Sequence, residues 1–293
     1  MAGALSRSDY VFPARPPYKH AMFDLPVYLA RIDLPEAPAP DVAGLATVQR
    51  AHRLAIPFEN LDVRLGRGVA VDSASVFDKL VRRRRGGYCF EQNRLLGDAL
   101  TALGFEARPL LARVWLGMTE PQPLTHALTL VTIDGEDWIA DAGFGGSFAP
   151  VMPLADGAET EAPDGTRHRL ERNEEFGWML LREGVPATTV ASGIGPGWQP
   201  QYSFDLRQVY ENDIGMGNLW ASVAPESRFT QITIASIVLP LGFATLVDRT
   251  YRRISSEGET SGEITDPRVY RIRMSLMFGI DLSEEEVAAL GLF

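Results

Sequence analysis

Three short pieces of the chain hold the residue types that nucleophilic chemistry needs. The first is Arg85-Gly86-Gly87-Tyr88-Cys89-Phe90-Glu91-Gln92-Asn93, which contains the only cysteine. The second is Thr125-His126, and the third is Asp141-Ala142-Gly143-Phe144-Gly145-Gly146. Cys89 stands where an irregular Gly-Gly stretch becomes an apolar-periodic helix. A free thiol ionises near pH 8.5, so only about a few per cent is thiolate at neutral pH. A helix N-terminus and a neighbouring imidazole both favour the anion. Together Cys89, His126 and Asp141 read as a thiol nucleophile, its base, and the carboxylate that orients the base.

Each piece also has a plainer reading. A lone cysteine is commonly a small buried hydrophobe. His126 opens an apolar strand and by itself reads as a hydrogen-bonded strand histidine. Gly143, Gly145 and Gly146 fit a tight turn after a strand, or backbone N–H groups exposed to a phosphate or acyl oxygen. They form neither a dinucleotide fingerprint nor a phosphate loop. Of the remaining histidines, His20 lies in an N-terminal extension, His52 on the outer part of a helix and His168 in a charged loop.

Spacing ties the histidine to the aspartate. Asp134-Gly135 is a two-residue hairpin signal. If Ile133 faces Glu136 across it, Asp141 faces Leu128. The separation of 15 residues then makes His126 and Asp141 diagonal neighbours on one face. Such neighbours lie within roughly 7–8 Å between Cβ atoms.

The elements around these residues follow from pattern. Asp24-Leu25-Pro26 opens a helix with Leu25, Tyr28, Leu29 and Ile32 inward. A second helix runs over about 42–53, and Pro57-Phe58-Glu59-Asn60-Leu61 reads as a compact turn after it. Asp72-Ser73 caps a third, with Val76, Phe77, Leu80 and Val81 inward, the basic run Arg82 to Arg85 at its end and Gly86 as its stop. Arg85 adjoins the cysteine turn and is expected to pair with Glu59. A fourth helix begins near Cys89 and carries Leu96, Ala99, Leu100 and Leu103 to a stop at Gly104. From about 107 the period changes to strands at 107–115, 126–133 and 138–140, then 168–171, 178–182 and 188–191. A small antiparallel barrel or sheet is expected there. Strands at 232–239, 243–247 and 251–254 follow, then a polar loop over 255–263 and a terminal helix opened by Ser283.

Bulk properties set limits. A chain of 293 residues suits two or three domains. The net charge of -10 argues against a dedicated nucleic-acid binder, though not against an anionic ligand. One cysteine excludes an intrachain disulfide and a CxxC zinc or redox motif, so no metal is implied. No apolar run approaches the ~20 residues of a membrane span, and no secretory leader is read. The N-terminal stretch carries Pro13, Pro16 and Pro17 and reads as a loose extension, with Met22 an alternative start. A cytoplasmic setting is expected.

These motifs resemble the arylamine N-acetyltransferases. The Cys89 motif is similar to that family's nucleophile motif. Pro57 to Leu61, Thr125-His126 and Asp141 to Gly145 are similar to its other landmarks, in the same order and spacing. The likeness is strong from about 22 to 146, and Ser222 to Phe229 is similar to a further segment. The resemblance implies an α+β fold with a papain-like Cys-His-Asp core. Its parts would be an N-terminal helical bundle at 22–104, a central antiparallel β-barrel at 105–205 and a C-terminal α/β lid at 206–293, after an extension at 1–21. It implies ping-pong transfer from acetyl-CoA through acetyl-Cys89 to an arylamine, arylhydroxylamine or arylhydrazine. His126 and Asp141 would complete the triad, and no metal would be involved. Phe58, Phe90, Phe144 and Trp220 would enclose the aromatic acceptor. Thr125 and Gly143, Phe144, Gly145 and Gly146 would meet coenzyme A. Small molecules are then the partners, with neither nucleic acid nor membrane, and the chain would be a monomer or homodimer.

Two rival readings use the same residues. A thiol hydrolase, whether protease or transglutaminase-like, would need the same triad but leave no stable acetyl adduct. A ligand-binding protein with an inert cysteine would alkylate only slowly and only at alkaline pH.

Overall fold

A computed structural model describes residues 23–145, 147–163, 165–184, 197–255 and 258–293. Helices come first: α1 (Leu25–Arg31), α2 (Val42–Ala55), α3 (Leu61–Arg64), α4 (Ser73–Phe77) and α5 (Cys89–Ala102), with the short strand β1 (Phe58–Glu59) between α2 and α3. The side chains of Asp24, Asp41 and Asp72 accept from backbone N–H groups of α1, α2 and α4, satisfying donors that a helix start leaves unpaired. A π-helical turn (Asp78–Arg82) continues α4. Tyr28, Leu45, Val48, Val76, Leu80, Leu95 and Leu96 make the core of this part.

The middle of the chain is β2 (Glu106–Val114), β3 (Leu124–Ile133), β4 (Glu136–Ala140), β5 (Met152–Pro153), β6 (Ala158–Glu161), β7 (Arg167–Asn173), β8 (Gly177–Glu183) and β9 (Trp198–Phe204). They form one antiparallel sheet in the order β5-β4-β3-β2-β9-β8-β7-β6. Its two edge strands are consecutive in sequence and touch, so the sheet nearly closes into a barrel. Alternation decides which way each side chain goes. Leu128 and Leu130 of β3 pack inside with Phe144, Trp178 and Tyr202. Val131 and Ile133 turn outward onto the helical core. The β3–β4 hairpin pairs Ile133 with Glu136, as its turn residues predict, and Asp134 and Gly135 both take positive φ.

The last part holds α6 (Glu211–Val223), α7 (Arg228–Gln231), β10 (Ile234–Leu239), β11 (Gly242–Val247), β12 (Thr250–Ser255), β13 (Gly258–Glu263), α8 (Pro267–Phe278) and α9 (Glu284–Ala289). Its antiparallel sheet has the order β1-β10-β11-β12-β13, so β1 from the helical part forms an edge.

Several expectations are corrected. Residues 57–61 are not a simple turn. Phe58 and Glu59 pair with Ser236 and Ala235, a partner far along the chain that local pattern does not reveal. Arg84, at φ 53, makes the reversal after the third helix. Gly86 instead presses on Pro57, where a Cβ would lie 2.3 Å from its carbonyl oxygen. Within the expected polar loop, residues 258–263 form β13, paired to β12 by its backbone and an Arg252–Glu259 ion pair rather than by apolar alternation. Helices α6 and α8 had no counterpart in the sequence reading. The expected strand at 188–191 lies outside the described residues.

Candidate active site

Cys89 is the first residue of α5, so its thiol sits at the end of the helix where unpaired N–H groups point. The two residues before the helix are held from below. Gln92 donates to the carbonyls of Pro57 and Gly87 at 2.8 and 3.1 Å, and Glu91 accepts from the Tyr88 N–H at 3.1 Å. The thiol is buried, 3% exposed, and contacts the Thr125 carbonyl at 3.5 Å. A bulge frees that carbonyl. Ala112 pairs with His126 and Arg113 with Leu124, which leaves Thr125 without a cross-strand partner.

His126 follows the bulge. Its ring lies against Phe144 and Tyr202, with centroids 5.1 and 4.9 Å away. Nε2–H donates to Asp141 Oδ2 at 2.8 Å, and the ring shares the lining of one cavity with Cys89, whose nearness favours its proton. With Nε2 committed to the carboxylate, Nδ1 is the nitrogen left for sulfur. Strand β4 ends at Ala140, opposite Thr129, so Asp141 stands one residue beyond the ladder. Its register still brings it beside His126, as the hairpin arithmetic requires.

The electrostatics of this pair are one-sided. Burial works against the imidazolium, but the charge and hydrogen bond of Asp141, then Cys89, outweigh it and push His126 up to about 10. Burial likewise opposes the Asp141 carboxylate. His126, Arg53 and Asn93 overcome that and hold it down at about 2. Asn93 and the Gly143 N–H both donate to Asp141 Oδ1, at 3.0 and 2.8 Å. Both shifts favour a charged ring aligned by an ionised carboxylate.

A cavity of about 270 Å³ opens above the thiol. Of the residues expected there, Phe58, Thr125, Gly143, Phe144, Gly145 and Trp220 line it. Phe90 does not. It is 1% exposed, packs on Tyr88, and sits where a Cβ on Gly217 would meet its ring at 2.8 Å. Helical geometry turns it away from its neighbour Cys89. Gly146 is outside the described residues. Sequence reading missed Val114, Leu116 and Met118 on one wall and Arg228 and Phe229 on another. Arg228 and Phe229 fall in the 222–229 segment singled out in the sequence, while Val114, Leu116 and Met118 carried no signal.

Two histidines are also corrected. His52 is fully buried, not outer, and bridges the Tyr28 hydroxyl and Gln92 Oε1 at 2.9 and 2.7 Å. Burial pushes it down to about 4 against the Gln92 bond, with Arg31 and Arg53 adding to the fall, so it is neutral. His168 is a buried residue of β7, paired opposite Arg182. Beneath the site Arg85 does pair with Glu59, at 2.9 Å. Lys79 bridges Asp62 and Glu91 at 2.7 and 2.8 Å. Among the described residues no group of three or more His, Cys, Asp or Glu is arranged to hold a metal ion, and no helix is long and apolar enough to cross a membrane.

Comparison with known proteins places this geometry in a family. An N-acetyltransferase family model matches residues 41–287. An arylamine N-acetyltransferase of Escherichia coli is 38% identical over 218 residues, covering 73% of each chain. The arylamine N-acetyltransferase structure from Salmonella typhimurium superposes with a TM-score of 0.83 at 32% identity, covering 92% of this chain and 98% of that one. The Mycobacterium marinum arylamine N-acetyltransferase in complex with CoA superposes with a TM-score of 0.81 at 28% identity, covering 91% and 98%. The chain belongs to the arylamine N-acetyltransferases, and so to the acyltransferases.

Proposed function

We propose that the protein transfers an acetyl group from acetyl-CoA to an aromatic amine, hydroxylamine or hydrazine in two half-reactions through Cys89. The observation that carries this reading is the Asp141–His126 hydrogen bond beside the Cys89 thiol, with imidazole and thiol lining one aromatic-walled cavity. In the first half-reaction the Cys89 thiolate attacks the thioester carbonyl. A new C–S bond forms, the bond to the CoA sulfur breaks, and the His126 imidazolium protonates the departing CoA thiolate. In the second, the acceptor nitrogen attacks acetyl-Cys89. Neutral His126 takes the nitrogen's proton as the cysteine thiolate leaves. Asp141 keeps Nε2–H engaged throughout, so Nδ1 stays aimed at the reacting atoms.

Phe58, Phe144, Trp220 and Phe229 provide aromatic faces for the acceptor. Thr125 and the backbone of Gly143 to Gly145 would meet coenzyme A at the cavity mouth. A Mycobacterium marinum relative with bound CoA supports that side of the reading.

Intact-mass spectrometry after incubation with acetyl-CoA is the direct test. One added acetyl group on Cys89, discharged by an arylamine and absent in Cys89→Ser, is expected. No adduct, together with hydrolysis of a peptide or amide substrate, would favour the thiol hydrolase instead.

A further inference from the structure

We infer that Arg53 is a positioning residue for this reaction, because its guanidinium holds the loop that aims Asp141 at His126. The inference rests on the thiol mechanism proposed above. Arg53 is on α2 and 7% exposed, yet its hydrogen bonds go to main-chain carbonyls rather than to a carboxylate. Nη1 donates to the Asp141 carbonyl at 3.1 Å. Nη2 donates to those of Phe144 and Ser147 at 3.0 and 2.9 Å. The guanidinium also lies 4.9 Å from the Phe148 ring centroid. One buried cation thus grips a single loop at three points along its length.

Its neighbour Gln49, one helical turn earlier, closes the clasp. Gln49 Oε1 accepts the Asp141 N–H at 2.7 Å, and Nε2 donates to the Ala149 carbonyl at 2.9 Å. Both ends of the loop are therefore tied to α2. The loop needs such ties because Asp141 has already left the β4 ladder and has no strand partner to fix it. A buried guanidinium bonded to neutral carbonyls is costly unless it answers a nearby charge, and the Asp141 carboxylate is that charge. Burial lowers Arg53 to about 10, against the pull of Asp141 and Tyr202, and Arg53 in turn helps hold Asp141 ionised. The charged and titratable groups around Asp141 are Arg53 from α2, His126 from β3, Tyr202 from β9 and, beyond the ring, Cys89 from α5.

The test is the pH profile of Cys89 alkylation by iodoacetamide, which needs neither acetyl-CoA nor an acceptor. Failure of the acetyl-transfer reading and failure of this inference are thereby separable. Arg53→Met should label at least ten-fold more slowly at pH 7. Its acid limb should rise by about one pH unit, because the carboxylate loses both its aim and its neighbouring charge. Arg53→Lys retains the charge but not the three-point grip. It should keep the acid limb in place and lose roughly three- to ten-fold in rate. A simple packing role predicts a lower melting temperature with an unmoved profile in the folded fraction, and that result overturns the inference. If Arg53→Met does not fold, Arg53→Lys decides: a wild-type rate and profile would mean the clasp is unnecessary. Guanidinium added to Arg53→Ala at millimolar concentration should restore part of the rate. No rescue in a folded Arg53→Ala counts against the inference.

Discussion

His126 is pulled in two directions, and the balance sets the chemistry. Burial opposes its charge, while Asp141 and Cys89 favour it strongly enough to carry it up to about 10. Because the folded value lies above the ordinary one near 6.5, the pair stabilises the fold fully below that pH. The contribution is then lost as pH rises toward 10. His126→Asn should accordingly destabilise the protein at pH 6 and much less at pH 10, read by urea melts at both. The same substitution should slow iodoacetamide labelling of Cys89 below pH 8 by at least about ten-fold, since the thiolate loses its cation. Wild-type labelling at that pH should be rapid, and labelling seen only under alkaline conditions would rule out the ion pair. Asp141→Asn should lower kcat/KM of the folded protein by roughly 10³- to 10⁴-fold, the scale found when a triad carboxylate is replaced, and should lower its melting temperature as His126 and Arg53 lose their counter-charge.

Two element-level junctions keep these side chains in place. The first is the contact between the start of α5 and the loop after β4. A Cβ on Gly143 would lie 2.5 Å from Asn93 Nδ2 and 2.7 Å from Cys89 Cα. Gly143→Ala should therefore push the loop off the helix, costing about 1–3 kcal/mol and more than ten-fold in turnover, measured by thermal melts and steady-state kinetics. The second is the ion-pair network under α5. Lys79 is 6% exposed and bridges Asp62 and Glu91, whose carboxyl burial pushes up to about 7 despite the Lys79 bond. Lys79→Met would leave the buried Glu91 without its cation, while Asp62 keeps Arg67 and Arg85. A loss of about 3–5 kcal/mol is expected, seen as a lower urea midpoint with unchanged slope.

At the scale of the whole molecule, the site is assembled by all three stretches of chain. Cys89 comes from a helix, His126 from the barrel-like sheet, and Trp220 and Phe229 from the segment that leads into the second sheet. Strand β1 crosses between them. Asn60, next to it, donates to the carbonyls of Phe229 and Ile232 at 2.9 and 2.8 Å and accepts the Ile234 N–H at 2.7 Å. The helical part and the C-terminal sheet are therefore expected to unfold together. Far-ultraviolet and near-ultraviolet circular dichroism should give coincident urea transitions, and separated midpoints would contradict this coupling. Trp220→Ala should raise KM for an aromatic acceptor several-fold while leaving Cys89 labelling unchanged, because the indole lines the cavity without touching the triad bonds.

The sequence alone determined which residues could do chemistry and many of the local elements. A single cysteine before an apolar helical stripe, a two-residue Asp-Gly turn and an odd spacing of 15 residues are local facts, and local sterics and hydrogen bonding act on them directly. They specified Cys89, His126 and Asp141, the β3–β4 register and most of the helix starts. Tertiary structure alone decided that Phe58-Glu59 would be a strand, that Phe90 would turn away from the cavity, and that His52 and Arg53 would be buried beneath the site. Each of those outcomes depends on a partner distant in sequence: Ser236 for β1, Gly217 for Phe90, the Asp141 to Ser147 loop for Arg53. A pattern of side chains records which face seeks burial. It does not record what will cover that face, because the covering surface exists only once the chain has closed on itself.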